Sequence, residues 1–192
     1  LALLSACFAN QGEIASAIEL LDASVAITPD AGLIGRKIFF LDFLTEADFA
    51  VQQAARKHWW DVIGTRLPQR TLAPRSLDPD RRIVIGYVSA EFWYHSAAFA
   101  LLPILRHHDR TKFEIVCYAC SSTQDEVTAQ FKQLADTWVD AWQMSDDQLA
   151  DRIQADKVDI LIDVSGHTTG NRLPVFARKP APIQVTAFGH AS

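Results

Sequence analysis

Two short polar stretches hold the residue types best suited to chemistry: Ser89-Ala90-Glu91-Phe92-Trp93-Tyr94-His95-Ser96 and Ser165-Gly166-His167-Thr168-Thr169-Gly170-Asn171. Each follows an apolar run, and each offers one imidazole, the side chain that most readily gains and loses a proton near neutral pH. The second stretch is small and polar, so it can present hydroxyls, backbone amides and an imidazole to a sugar or a phosphate. Spacing alone leaves both histidines equally open to a solvated or locally satisfied role. Other chemistries are disfavoured. The first stretch lacks the glycines that let a backbone approach a pyrophosphate, and no HExxH, P-loop or Ser-His-Asp order occurs. Cys117 and Cys120 form a CxxC without a second pair to complete a zinc set. Together with Cys7 they read as reduced core thiols of a cytoplasmic protein. His107-His108 falls late in a helical stretch, as a cap or surface pair, and His58 beside Trp59-Trp60 reads as interhelical. Asp146, Asp147, Asp151 and Asp156 read as the acidic polar face of one helix, from which Asp151 could join the chemistry only if that helix leans over the site.

The elements that must position these residues follow from periodicity. After Arg82, apolar strands (83–89, 113–119, 137–142, 158–164 and 183–188) alternate with amphipathic stretches near 97–107, 124–136, 146–156 and 171–178. The strands are too apolar for a one-sided sheet, so the pattern predicts a Rossmann-like α/β parallel sheet covered on both faces. Ligands of such sheets sit at the carboxyl ends of strands where the order reverses. An order of 3-2-1-4-5 would place His95 and His167 after adjacent strands, facing one crevice. Ahead of the sheet, residues 1–66 read as all-α. Helices over 1–10 and 13–28 are broken at Gly12 and stopped by Pro29, with further helix over 33–64. Leu4, Phe8, Ala17, Leu21, Ser24 and Pro29 fall at the offsets of a tetratricopeptide repeat, with Ser5 and Ser24 at positions usually held by glycine and alanine. One such repeat cannot bury its own face, so further repeats are expected upstream of Leu1. Pro68, Pro74 and Pro79 mark residues 67–81 as a linker, and residues 82–192 as an incomplete sheet lobe.

Composition narrows the partners. The 192 residues are 49% apolar and 21% charged, with a net charge of −5, which describes a folded globular chain rather than a disordered one. Residues 1–68 hold 5 basic and 8 acidic side chains and residues 69–192 hold 13 and 15, so neither part offers the basic surface that dominates nucleic-acid affinity. No apolar run approaches the ~20 residues that cross a bilayer, and no membrane partner is expected.

The run Ile85-Gly86-Tyr87-Val88-Ser89 with Glu91, Phe92 and His95 resembles the O-GlcNAc transferase and SPINDLY-type family. So do the segment 108–118 and the stretch from Asp159 through Ser165-Gly166-His167-Thr168 to Val185. The resemblance implies the N-terminal lobe of a GT-B fold behind the end of a tetratricopeptide array. It further implies inverting, metal-independent transfer of N-acetylglucosamine from UDP-GlcNAc to Ser or Thr of a polypeptide acceptor, with the nucleotide sugar as co-substrate and no other cofactor. His95 matches the motif histidine on the sugar and acceptor side, His167 with Gly166 and Thr168 matches the Gly-His-Thr loop, and Asp151 falls near a position proposed to relay protons. Three departures are Glu91 and Lys179, where the family usually has Asp and Arg, and residues 187–192, where it has a Pro-Gly turn. The alternatives are a non-catalytic peptide-binding repeat module and a SPINDLY-like enzyme with a fucosyl donor. The lobe alone is expected to be inactive.

Overall fold

In the computed structural model, which describes residues 1–76 and 78–187, the chain divides into two compact units. One comprises Leu1–Leu67 with His167–Thr169, and the other Pro68–Gly166 with the residues from Gly170 onward.

The first unit is helical: α1 (Ala2–Asn10), α2 (Ile14–Ile27), α3 (Ala31–Leu41) and α4 (Phe49–Val62), then one 3-10 turn over Gly64–Arg66. Gly12 sits at φ +84°, the left-handed conformation that lets α1 end and α2 begin within four residues. Ala17, Leu21 and Ile38 are fully buried. Ser5 and Ser24 are also buried, and their hydroxyls donate to Ala2 O (2.8 Å) and Leu20 O (2.7 Å). Small residues that satisfy themselves within one turn allow the close helix approach expected at those offsets. The continuous helix expected over 33–64 is broken at residues 42–48. There Asp48 caps α4 through Val51 N (2.9 Å), and Asp42 turns back to pair bidentately with Arg56 at 3.0 and 3.2 Å. Two further expectations are corrected in this unit. His58 is exposed while its neighbour Trp59 is buried, with the indole N–H donating to Ala31 O (3.2 Å), and Cys7 is exposed rather than a core thiol.

The second unit is a five-stranded parallel sheet. Its strands are β1 (Ile83–Ser89), β2 (Phe113–Ala119), β3 (Thr137–Asp140), β4 (Ile160–Asp163) and β5 (Ile183–Thr186), in the order β3-β2-β1-β4-β5. The expected order is therefore the observed one. Helices α5 (Ser96–His107) and α6 (Glu126–Leu134) contribute to one core with Ile85, Tyr87 and Ile115. Helices α7 (Asp146–Ala155) and α8 (Leu173–Ala177) contribute to the other with Val88, Val116 and Leu161. Each fully buried aliphatic side chain removes enough apolar surface to stabilise by about 1.5–3 kcal/mol. Gly86 is tightly packed: a Cβ there would stand 3.0 Å from Val158 and 3.1 Å from Leu161, so those side chains would have to give by a few tenths of an ångström.

Three strands are shorter than expected. Strand β4 starts at Ile160, although Asp159 N still donates to Val84 O (2.9 Å) and Asp159 O accepts from Ile183 N (3.2 Å), while its carboxylate receives Arg81 at 2.7 and 2.8 Å and Val84 N at 2.9 Å. Strand β3 stops at Asp140, after which Ala141 N still donates to Ala119 O (2.8 Å), and Phe188, expected to end β5, lies outside the described residues. Residues 68–76 and 78–81, most of the expected 67–81 linker, form a strap packed within the sheet unit. Its Arg70 pairs with Asp147 and Asp151 (both 2.9 Å), its Thr71 O accepts from Gln154 (2.9 Å), and its Arg75 donates to Val158 O (3.0 Å).

Candidate active site

At the carboxyl edge of the sheet, β1 and β4 run side by side, with Val88 opposite Asp163. The chain leaving β1 turns at once on a buried carboxylate. Glu91 Oε2 accepts from Ser89 Oγ (3.0 Å) and from Ser165 Oγ (2.5 Å), while Ser165 Oγ accepts from Ala90 N (3.0 Å). Ala90 and Glu91, the two residues after β1, are thereby bonded to Ser165 in the first turn after β4. Asp163 is also buried and accepts from Ser165 N (3.1 Å), Gly166 N (3.0 Å) and Thr186 Oγ1 (2.9 Å). Burial pushes its carboxyl above the usual range. The three hydrogen bonds oppose that shift, and the Glu91 charge adds to it.

The loop carrying His95 is held at four further points. Trp93 Nε1 donates to Ala90 O (2.8 Å), Thr128 Oγ1 to Phe92 O (2.7 Å), Tyr94 N to Asp125 (2.7 Å) and Cys120 N to Ser89 O (2.8 Å). Asp125 also caps α6 through Thr128 N (2.8 Å), and these backbone donors hold its carboxyl below the ordinary value. His95 itself is half-buried and serves as the N-cap of α5, its Nδ1 accepting from Ala97 N at 3.3 Å, with the Trp93 ring 5.2 Å away. A neutral imidazole that accepts at Nδ1 carries its proton at Nε2, which leaves Nε2 as the donor of the His95 ring.

His167 belongs to the helical unit, its ring edge-on to Trp59 at 6.3 Å. Burial lowers its pKa to about 4, the positive charge of Arg56 adds to the effect, and Asp42 opposes it. It is therefore neutral at pH 7. Its Nδ1 is buried without a hydrogen-bond partner among the described residues. Thr168, in the same unit, is half-buried.

The expectation for Gly166 is corrected. It adopts φ +58°, and its N–H already donates to Asp163, so it has no amide to offer a phosphate. Asp151 gains no path to the His95 loop; its carboxylate pairs with Arg70 of the strap. The acidic face of α7 is in fact an arginine clasp. Asp147 receives Arg70 (2.9 Å) and Arg178 (2.8 and 3.0 Å), Asp146 receives Arg172 (2.7 Å), and Asp156 receives Arg152 (2.8 Å) and Tyr118 (2.8 Å). His108 caps α5 as expected, with an added partner: its Nε2 lies 2.7 Å from the Tyr87 hydroxyl. His107 is exposed. Burial raises the thiol pKa values of Cys117 and Cys120, the latter to about 12, and both are unpaired. Among the described residues no helix is long and apolar enough to cross a membrane.

Sequence reasoning missed the Glu91-Ser165 junction and the role of Asp125. The available signal was Asp163, a carboxylate inside an apolar strand, which had to find donors at the strand end.

The chain is similar to known proteins. The Arabidopsis thaliana protein described as a probable UDP-N-acetylglucosamine--peptide N-acetylglucosaminyltransferase SPINDLY is 34% identical over 171 residues, 85% of this chain and 18% of that protein. A Caenorhabditis elegans UDP-N-acetylglucosamine--peptide N-acetylglucosaminyltransferase is 36% identical over 120 residues, 61% of this chain and 10% of its own length. Among solved structures, a mutant O-GlcNAc transferase from Thermobaculum terrenum matches with a TM-score of 0.89 at 31% identity, over 96% of this chain and 36% of that one. This chain thus spans less than a fifth of the length of those two curated relatives. The family description for glycosyl transferase family 41 matches residues 67–192, and with it the parallel sheet and its carboxyl-edge loops place the chain in that family.

Proposed function

We propose that this chain supplies the N-terminal lobe, and the end of the repeat array before it, to an enzyme that moves N-acetylglucosamine from UDP-GlcNAc to Ser or Thr hydroxyls of polypeptides. The observation that carries the reading is the β1 carboxyl end. A loop with one half-buried imidazole is held there by hydrogen bonds from four directions, in a lobe of a chain that matches an O-GlcNAc transferase structure over 96% of its length. Such rigidity suits a contact that must be in place before charge develops. In an inverting transfer the acceptor oxygen attacks the anomeric carbon and loses its proton. The bond from that carbon to the diphosphate breaks, and the nucleotide diphosphate leaves with the bonding pair. His95, donating from Nε2, is assigned to an oxygen of the sugar or the acceptor. His167 and Thr168 are kept as sugar contacts, with His167 neutral and thus not a proton donor at pH 7. Asp151 is assigned to the strap and not to a relay. No step is given to a metal or a further cofactor. Free thiols and a charge balance without basic patches fit a cytoplasmic enzyme that engages neither membrane nor nucleic acid.

The test incubates the full-length protein with a Ser/Thr peptide and either UDP-GlcNAc or GDP-fucose, reading product mass. N-acetylglucosamine transfer is expected from the full-length protein and no turnover from residues 1–192 alone. Fucose transfer would overturn the donor assignment, and peptide binding without either transfer would replace the enzyme with a binding module.

A further inference from the structure

A second feature of the sheet unit lies at the opposite, amino edge of the sheet. There a cavity of about 570 Å³ opens between the strap and the turn from α7 to β4, a volume suited to a small metabolite. Its lining includes Arg75, Arg81, Arg82 and Lys157, with Asp159 as the one carboxylate. Two of the cations are already neutralised. Arg81 forks onto Asp159 at 2.7 and 2.8 Å, and Arg82 pairs with Glu114 at 3.0 Å and Asp136 at 3.8 Å. The other two form no ion pair of their own among the described residues, although the Arg75 charge also acts on Asp159. Arg75 spends one Nη2 donor on Val158 O (3.0 Å), while its Nε is buried with no acceptor among the described residues. Burying a donor unsatisfied is costly unless a ligand or a rearranged acceptor meets it. Lys157 is exposed and has no ion pair among the described residues.

Lys157 is also unusual in its backbone. Its N–H donates to Gln154 O (3.0 Å) and that of Val158 to Ile153 O (3.4 Å), the paired bonds that end a helix on a left-handed residue. Glycine is the usual occupant, and here a lysine holds φ +54°. Lys157 thus stands at one wall of the cavity at some backbone cost, with Arg75 on the strap.

We propose that this cavity binds a small phosphomonoester, its dianionic phosphate joined to Arg75 on the strap and Lys157 on the α7–β4 turn. Two cations on separate chain segments, neither held in an ion pair of its own among the described residues, match a dianion. Arg75 offers the forked donors that suit tetrahedral oxygens, and Lys157 a point charge. The amino edge is not where parallel sheets hold reacting ligands, so the bound molecule acts as an effector that pins the strap.

The experiment titrates the full-length protein with inorganic phosphate and with glucose 6-phosphate at constant ionic strength, by calorimetry and thermal melting. Saturable binding with a raised Tm is expected. Tighter binding of glucose 6-phosphate identifies a metabolite as the source, and equal binding identifies free phosphate. Arg75→Gln should weaken binding about tenfold, but it could also loosen the strap. Lys157→Gly supplies the independent arm: it should weaken binding about tenfold while holding or raising the Tm, because glycine suits the left-handed position. Absence of saturable binding for both probes, or unchanged affinity in folded Lys157→Gly, would overturn the proposal.

Discussion

In the helical unit the buried hydroxyls of Ser5 and Ser24 return to carbonyls three and four residues back in their own helices. In the sheet unit, Ser165 reaches Ala90 and Glu91, 75 and 74 residues away in sequence. Both units bury polar groups, but the consequences differ. A hydroxyl that bonds its own helix lets two helices approach and organises nothing else. A carboxylate that gathers donors from two strands fixes where two loops leave the sheet. Long-range polar burial at the carboxyl edge therefore marks the part of the fold devoted to a site, and local polar burial marks the part devoted to stacking.

Glu91→Ala is the hardest test of that contrast. It removes the acceptor of Ser89 and Ser165 in a dry setting and should cost about 2–3 kcal/mol of stability by denaturant unfolding. The cycle with Ser165→Ala should show coupling of about 1 kcal/mol or more. Additive costs would mean that the junction is two independent bonds.

The next effect is a pH dependence. His167 has its folded pKa lowered to about 4 from an ordinary 6.5, so the unfolded chain binds the extra proton between those values. Stability is then complete above pH 6.5 and falls as the pH drops from 6.5 to 4. His167→Asn should flatten that slope, and an unchanged slope would show that another group titrates there. Asp147 is lowered to about 2 from 3.8, first by the Arg178 bond and also by Arg70. Its contribution is present above pH 3.8 and fades as the pH falls towards 2. Asp147→Asn should remove this smaller loss from the acid limb of the unfolding curve, because the clasp is solvent-facing and screened.

Ser24→Ala should change stability by only about 0.5 kcal/mol or less, since the hydroxyl merely doubles a bond on its own helix. A cost near that of Glu91→Ala would erase the contrast between the units.

The strands were legible because both faces of β1, β2 and β4 are buried, which leaves an uninterrupted apolar run in the sequence. The first helix pair was legible because close helix crossing demands small residues at fixed offsets, and serine meets the demand by bonding its own helix. The break at residues 42–48 was hidden by Phe43 and Leu44, which continue a helical apolar pattern, so that only the Asp48 cap marks the new start. At the site, the position of His95 after the first strand could be read, but its tautomer depends on the Ala97 amide. Gly166 looked like a phosphate cradle because sequence cannot say which acceptor wins its amide, and Asp163 does. Asp147 and Asp151 read as a solvated face because their partner Arg70 lies 77 and 81 residues away in the chain.

The claim that the β1 loop works on substrate is tested most directly by His95→Asn in the full-length protein. Asparagine can still cap α5, so the fold keeps its bond to the Ala97 amide, while the imidazole Nε2 is lost. Peptide glycosylation and melting temperature are measured on the same preparation, with exposed His107→Asn as control. The account predicts a rate lowered on the order of a hundredfold with a melting temperature close to that of the parent, and no comparable change in the control. A rate within a few-fold of the parent, or a loss of rate that merely follows unfolding, would contradict it.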